Sequence, residues 1–339
     1  MHRSQITIDL GAVARNVRTL LRVLEGAELW AVVKGDGYGH GALDVGRAAL
    51  DAGATALCVA TVPEALALRA ELPKARLIAM GPALGDEIAH AREARLELVA
   101  ASNRIPEGVP VHLKLDTGMG RWGLSELPSP SRDVVGLMTH LATADSDPAF
   151  AERQVERFRE ATEGHRGLTR HAANSAAALR LPSSRFDAVR CGIAVYGLSP
   201  FGDDPAGDGL EPALNWESHL ARVLRLEPGE STGYGRKYVA SKPTWVGLVP
   251  VGYVDGFRRD LEGTEVLVQG ERCRAVGTVS MDAFAVLLPR ELPVGTAVTL
   301  IGDGVVAEEH ARVADTINYE IVCGINSSPE RALRTVLHA

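Results

Sequence analysis

The first two-thirds of this 339-residue chain repeat one unit: a short, continuous apolar run followed by an amphipathic stretch. Few folds accommodate that rhythm. Eight runs are visible, at Trp30–Lys34 (WAVVK), Ala56–Ala60 (ALCVA), Arg76–Met80 (RLIAM), Leu96–Ala100 (LELVA), Val111–Leu115 (VHLKL), Val135–Leu141 (VGLMTHL), Leu168–Ala173 (LTRHAA) and Asp187–Gly192 (DAVRCG). Each is short, continuous and bounded by turn residues, which describes a strand covered on both faces. Between them, Ala42–Ala52, Pro63–Leu72, Asp86–Ala94 and Ala149–Gly164 are rich in Ala, Leu, Glu and Arg and read as helices. Pro63 stands where a first helical turn tolerates it. The alternation predicts a parallel (β/α)8 barrel of the TIM type. A doubly wound open sheet has the same local pattern and stays as the alternative, because strand count alone does not prove closure.

One gap breaks the rhythm. Residues 101–110 read ASNRIPEGVP, with two prolines and a glycine, so no proper helix is expected across Asn103–Gly108. The texture changes again after Glu211. Thr244–Val251, Glu265–Gln269, Cys273–Val279, Phe284–Leu288 and Ala297–Ile301 are β-rich and separated by Gly and Pro turns, and no helix pattern intervenes before Val305–Ile317. The expected domains are therefore an α/β barrel over residues 1–211 and a mainly β domain over 212–339. Ile6–Leu10 is a ninth strand candidate ahead of the eight. It does not fit an eight-stranded barrel and is expected to pair with the β domain.

Bulk properties narrow the function. A formal net charge of −7 and the lack of any basic run argue against nucleic acid. No apolar stretch is long enough to span a bilayer. The N-terminal MHRSQITIDLGAV has no apolar core of the kind a signal peptide carries, so a cytoplasmic protein is expected. Cys58, Cys191, Cys273 and Cys323 lie far apart, which excludes a zinc ribbon or a thioredoxin motif and gives no reason to expect a metal.

Barrel active sites sit at the C-terminal ends of the strands. Reading those ends in order gives Lys34, Lys114, His140, His171 with Asn174, and Arg190. Cations and imidazoles thus stand where apolar residues would suffice for packing. Ala31-Val32-Val33-Lys34, followed by Gly35-Asp36-Gly37-Tyr38-Gly39-His40-Gly41, is the sharpest of these signals. A lysine desolvated at a strand end would lose charge readily, and a neutral amine is what Schiff-base chemistry requires. The glycine spacing is not that of a dinucleotide fold.

The AVVK-x-x-x-YGHG run resembles the cofactor-lysine motif of the alanine racemase family, which uses pyridoxal 5'-phosphate. The resemblance continues in family order through His112–Arg121 (HLKLDTGMGR), Thr139-His140, Asn174-Ser175-Ala176, Val189-Arg190 with Gly192-Ile193, Tyr234-Gly235, Gly252–Gly256, Ser280-Met281-Asp282 and Thr316–Glu320. It implies that Lys34 holds the cofactor and acts as base on one face of the amino acid, while Tyr234, reaching in from a second subunit, acts on the other. A free tyrosine, with a pKa of about 10, is a poor base at neutral pH. The family's histidine and arginine, here His140 and Arg190, would tune it in a hydrogen-bonded line. Arg190 would also face the cofactor's ring nitrogen and, as a group that holds its proton, keep that nitrogen unprotonated. Tyr38, Asn174, Ser175, Gly192, Ile193 and Tyr319 match the residues around the cofactor, most of them its phosphate shell. Arg121, Met281 and Asp282 match the substrate-carboxylate region, and Lys114 a lysine that some members carry as a carbamate. Tyr253, Arg259, Ile317 and Tyr319 match a narrow substrate corridor. The implied function is interconversion of L- and D-alanine by a homodimer, supplying D-alanine for bacterial-type peptidoglycan. A broad-specificity or serine racemase, or a degenerate cofactor-binding protein of the same fold, are the alternatives.

The chain departs from the family at Gly35-Asp36-Gly37, where Ala-Asn-Ala is usual, and at Cys191 and Arg258, where prolines are usual. It departs again at its C-terminal stretch Ile325–Arg331.

Overall fold

A computed structural model describes residues 2–338. The chain divides into two compact units: Val13–Phe201 with Asp208–Glu211, and Met1–Ala12 with Gly202–Gly207 and Pro212–Ala339.

Among the described residues nineteen strands occur. The first, β1 (Ser4–Asp9), belongs to the second unit. The next eight form the barrel unit: β2 (Glu28–Val32), β3 (Ala56–Val59), β4 (Leu77–Ala79), β5 (Glu97–Ala100), β6 (Val111–Lys114), β7 (Val134–Met138), β8 (Thr169–His171) and β9 (Ala188–Cys191). They pair in parallel and in sequence order, and β2 pairs with β9 from Glu28 opposite Ala188 to Ala31 opposite Cys191, so the sheet closes. Closure excludes the open-sheet alternative. All eight apolar runs are strands, because burial on both faces removes any need for polar alternation.

The expected helices are present at Ala42–Asp51, Val62–Glu71, Glu87–Glu93 and Pro148–Thr162. The second of these shows why it starts where it does. The Thr61 hydroxyl oxygen accepts a hydrogen bond from the Glu64 amide at 3.3 Å, the Thr61 amide donates in return to the Glu64 carboxylate at 3.0 Å, and Pro63 occupies the first turn. Pro148 follows an Asp147 cap whose carboxylate takes the Phe150 amide at 3.0 Å. No helix forms across Asn103–Gly108, as the prolines require, and the 115–133 connection after β6 also lacks one.

In the second unit, the remaining strands are β10 (Leu214–His219), β11 (Arg222–Leu226), β12 (Ser231–Thr232), β13 (Tyr238–Val239), β14 (Thr244–Val249), β15 (Glu265–Val268), β16 (Glu271–Val276), β17 (Phe284–Leu288), β18 (Ala297–Ile301) and β19 (Ala332–Leu337). Nine strands of this unit form one sheet in the order β11-β14-β17-β16-β15-β18-β10-β1-β19, and β12 and β13 form a hairpin. β1 lies between β10, antiparallel, and β19, parallel. Leu226, Ala240, Val246, Val276 and Ala285 pack as a core under part of that sheet. Helices at Ala307–Val313 and Asn318–Cys323 occupy the end of the unit. Sequence patterning misses β10, β11 and β19, whose charged and polar residues interrupt the apolar period. Among the described residues no helix is long and apolar enough to cross a membrane.

Candidate active site

The polar residues of the barrel unit converge at the C-terminal ends of its strands, around Arg190. That side chain is 4% exposed. Its Nη1 donates to His171 Nδ1 at 2.7 Å and to the His171 carbonyl at 3.0 Å. Its Nη2 donates to the carbonyls of Thr139 at 2.8 Å and Ala172 at 3.0 Å, and contacts His140 Nδ1 at 3.3 Å. The fork is therefore held against the ends of the two preceding strands, Val134–Met138 and Thr169–His171. Burial pulls the Arg190 pKa down to about 10, which leaves it cationic at neutral pH.

Beneath Arg190 runs a buried polar line that sequence reasoning did not anticipate. The His171 ring is inside the barrel, where its Nε2 meets His112 Nδ1 at 2.9 Å. His112 Nε2 meets the Glu97 carboxylate at 2.7 Å, and Glu97 takes Arg76 in a two-pronged contact at 2.7 and 3.0 Å. Trp30 walls the pair of imidazoles and carries the Arg76 guanidinium on its face at 4.6 Å. Gly136 makes room for this line, because a Cβ there would collide with the His112 ring. Burial would raise the Glu97 carboxyl, but the hydrogen bonds from His112 and Arg76 outweigh it and hold the pKa at about 2. A histidine between two apolar residues of a strand (VHLK), opposite a glycine in the next strand (VVGLM), was the available signal.

His140 loses its water and faces Arg190, Lys114, Arg121 and Lys34, and these together hold its pKa well below the usual imidazole range. Lys114, 5% exposed, is pushed down to about 8 by burial and then by Arg190 and Arg121. Lys34, Lys114, Arg121, His140 and Arg190 thus share one electrostatic neighbourhood. Lys34 itself lies past the end of β2 at Val32, and its side chain is exposed. The apolar run therefore does not bury it. Arg121 is also exposed. It sits beyond a turn organised by Asp116, whose carboxylate accepts the amides of Gly118 at 2.9 Å, Met119 at 2.8 Å and Gly120 at 2.9 Å.

A second cluster, of hydroxyls and amides, lies at the start of the segment after β9. Ser175 Oγ accepts the amides of Gly192 at 3.0 Å and Ala194 at 3.4 Å. The Tyr38 hydroxyl lies so close to Gly192 that a Cβ there would strike it. Ile193 is fully buried in the turn that follows. The Asn174 carboxamide caps the next helix, accepting the Ala177 amide at 3.0 Å. Close backbone approach, two hydroxyls and an adjacent cationic cluster make a donor set suited to an oxyanion.

The other sequence-selected residues lie in the second unit. Tyr234 sits between Gly233 and Gly235, both left-handed. Its carbonyl accepts the Thr278 hydroxyl at 3.1 Å, while its side chain is 72% exposed. Met281, Tyr253 and Ile317 are exposed as well, as is Arg259, and Tyr319 is half-buried. Asp282 takes an ion pair from Arg331 at 2.8 Å. The same guanidinium holds the buried Asp255 at 2.6 Å, and Asp255 in turn accepts the Gly252 amide at 2.8 Å. Arg331 and Asp255, neither assigned a role from sequence, thus tie together the loops that carry Tyr253 and Met281.

Two family models match the chain: the alanine racemase N-terminal domain over residues 8–200 and the alanine racemase C-terminal domain over 213–333. The chain belongs to the alanine racemase family. It is 39% identical to the alanine racemase of Ligilactobacillus salivarius (strain UCC118), over 97% of this chain and 98% of that one. Its identity to alanine racemase 1 of Bacillus subtilis (strain 168) is 40%, over 96% and 91%. Among solved structures, alanine racemase from Streptomyces coelicolor A3(2) superposes with a TM-score of 0.91 at 38% identity, covering 99% and 98% of the two chains. Against other alanine racemases, the departures at Cys191 and Arg258 have local consequences. Cys191 is fully buried and burial pushes its thiol up to about 12, so it stays protonated beside Arg190. Arg258 pairs with Asp260 at 2.6 Å and with Glu320, linking the loop that carries Tyr253 to the Asn318–Cys323 helix.

Proposed function

We propose that this chain is a pyridoxal-phosphate-dependent racemase that interconverts L- and D-alanine as a homodimer. The observation that carries this reading is the convergence, at one end of the barrel unit, of Lys34 and the Arg190–His140 pair with the Tyr38–Ser175–Gly192 cluster. That donor set fits a phosphate: Gly192 lacks the side chain that would fill the cradle, and the hydroxyls of Tyr38 and Ser175 flank it. Asn174, Ile193 and Tyr319 would complete the cofactor's surroundings. When bound to Lys34, pyridoxal phosphate supplies an electron sink that makes the substrate's α-proton labile.

The chain's own residues do the rest. The Lys34 amine takes or returns the α-proton on one face of the amino acid, and the phenolic oxygen of Tyr234, reaching in from the second copy, does so on the other. Two bases on opposite faces invert the centre without turning the substrate. His140 accepts from Arg190 at Nδ1, so its proton is on Nε2, where it can donate to the Tyr234 oxygen and favour the phenolate. Arg121 offers a planar fork to the substrate carboxylate, and the Met281 amide and Asp282 are further candidates for binding that group. Tyr253, Arg259, Ile317 and Tyr319 line the corridor by which substrate arrives. Lys114, with its lowered pKa, has the neutral amine that combines with CO2, releasing one proton and leaving a carbamate anion beside Arg121.

Exposure of Tyr234, Met281, Tyr253 and Ile317 supports association with a second copy, since large apolar side chains grouped on a surface mark an interface.

Chiral analysis of L-alanine and L-serine incubated with protein and pyridoxal phosphate tests the reading. Time-dependent D-alanine, faster than D-serine, is the expected result. Comparable D-serine would favour the broad-specificity alternative, and no D-isomer from either would leave a cofactor-binding protein.

A further inference from the structure

The segment after Lys34 runs in a conformation that L-residues avoid. Gly35, Asp36, Gly37 and Tyr38 have φ of 60°, 48°, 62° and 54°. Glycine accepts this region without strain, but an aspartate and above all a bulky tyrosine do not. Such a turn persists only where the surroundings over-determine it. Three backbone bonds close it, from Gly39, His40 and Gly41 to the carbonyls of Gly35, Gly37 and Asp36 at 3.1, 3.0 and 2.8 Å. Side chains anchor its first half: Glu64 accepts the Gly35 amide at 2.8 Å, and the Asp36 carboxylate accepts the Ala42 amide at 2.9 Å.

At Tyr38, the residue with the most strain to offset, the restraint is His40. Its Nδ1 lies 2.9 Å from the Tyr38 carbonyl, and His40 is fully buried. A carbonyl can only accept, so Nδ1 carries the proton and donates it. The Tyr196 ring backs both partners, 4.6 Å from the His40 ring and 5.0 Å from the Tyr38 ring. Tyr196 is itself pinned by its hydroxyl, which donates to the Val32 carbonyl at 2.8 Å. The outcome is a Tyr38 hydroxyl against the backbone of Gly192, beside Ser175.

We propose that His40 is a positioning residue for the anion-binding end of this site: its Nδ1–H, with Tyr196 behind it, holds Tyr38 in the left-handed conformation that carries the Tyr38 hydroxyl to Gly192. The inference rests on the reading that Tyr38, Ser175 and Gly192 take the cofactor's phosphate. It adds a residue that touches neither phosphate nor substrate.

The test compares pyridoxal phosphate with pyridoxal, which lacks the phosphate, in titrations of cofactor-free protein followed by visible absorbance. His40→Phe keeps a buried ring and removes the donor. It should weaken pyridoxal phosphate binding by about tenfold or more, the loss expected for one charge-assisted hydrogen bond, while changing pyridoxal binding by less than about twofold. His40→Asn, whose amide nitrogen stands near the Nδ1 position, should recover most of the loss. His40→Gln, which carries its donor too far out, should not, and this pair makes the comparison if the phenylalanine variant fails to fold. Tyr38→Phe completes a double-mutant cycle. If His40 acts through the Tyr38 hydroxyl, the His40→Phe, Tyr38→Phe double variant binds no more weakly than Tyr38→Phe alone. Additive losses, or equal weakening toward both ligands, would overturn the proposal and leave the phosphate reading standing. Unchanged pyridoxal phosphate binding by Tyr38→Phe would instead remove Tyr38 from the phosphate site, and the role of His40 with it.

Discussion

Arg190 Nη1 lies 2.7 Å from His171 Nδ1, and that contact dictates where every proton sits along the barrel axis. A guanidinium only donates. His171 Nδ1 must therefore accept, so its proton is on Nε2 and is given to His112 Nδ1. His112 then carries its own proton on Nε2 and gives it to Glu97. Both imidazoles are neutral, with one anion and one cation closing the two ends. Burial, the first cause in each case, lowers the pKa of both rings, and for His171 the Arg190 charge adds to it. Nitrogen-15 spectra of histidine-labelled protein should report His112 and His171 as neutral Nε2–H tautomers at neutral pH and on into the range where a free imidazole takes up its proton. A Nδ1–H signal from either would contradict the direction of the chain.

The same burial makes stability sensitive to mild acid. His112, His140, His171 and His310 all have folded pKa values below their ordinary ones. A group with a depressed folded pKa that is neutral when folded gains its proton first in the unfolded chain. Its contribution is complete above the unfolded value of about 6.5 and is lost as pH falls from there toward the folded value. Each histidine adds a slope of up to about 1.4 kcal/mol per pH unit in that window. Thermal unfolding should therefore move to lower temperature between pH 7 and 5, before most carboxylates titrate. A flat profile in that range would mean that these rings take up protons in the native state.

Gly136 supports the axis sterically. Gly136→Ala would drive a methyl into the His112 ring, and overpacking of this kind costs about 1–3 kcal/mol. The expected result is a lower melting temperature together with weaker cofactor retention, read by dialysis and absorbance. An unchanged Tm would show that the barrel accommodates the methyl.

Asp116 presents Arg121 by taking three backbone amides, which hold its carboxyl below the usual range although burial opposes them. Asp116→Ala leaves those amides to water and loosens the turn. Steady-state kinetics should give a several-fold rise in KM for alanine with a smaller change in kcat, since the substrate-carboxylate contact weakens while the proposed bases are untouched.

Tyr234→Phe should keep the cofactor and lose about 10²–10⁴-fold in racemisation, the range for removing one acid–base group. Deuterium exchange measured from each alanine enantiomer separately would detect loss for one and retention for the other. Equal exchange from both would exclude Tyr234 as a base. Lys114 gives an independent check on the same site. With its pKa near 8, the neutral fraction grows as pH rises through that value. In carbon-13 bicarbonate a carbamate signal should appear above neutral pH and be absent in Lys114→Arg.

Local pattern was enough to predict the barrel, because strands buried on both faces leave continuous apolar runs such as Ala56–Val59 and Leu77–Ala79. Breakers were equally readable: Pro106 and Pro110 kept the 101–110 connection free of helix, and Pro63 marked the start of the Val62–Glu71 helix. Residue order along the chain also announced Lys34, Arg121, Arg190 and Tyr234 as a family constellation. Tertiary structure decided what pattern alone does not encode. Closure of the sheet depends on Glu28–Ala31 meeting Ala188–Cys191 across 160 residues of separation. The axis from Glu97 to Arg190 depends on four strands projecting side chains to one line. β1 joins the second unit because β10 and β19 offer it edges on both sides. Arg331 organises the Tyr253 and Met281 loops from the far end of the chain. A periodic pattern records which face of an element is apolar, whereas a hydrogen bond between distant residues depends on where the folded chain brings two polar atoms within about 3 Å of each other.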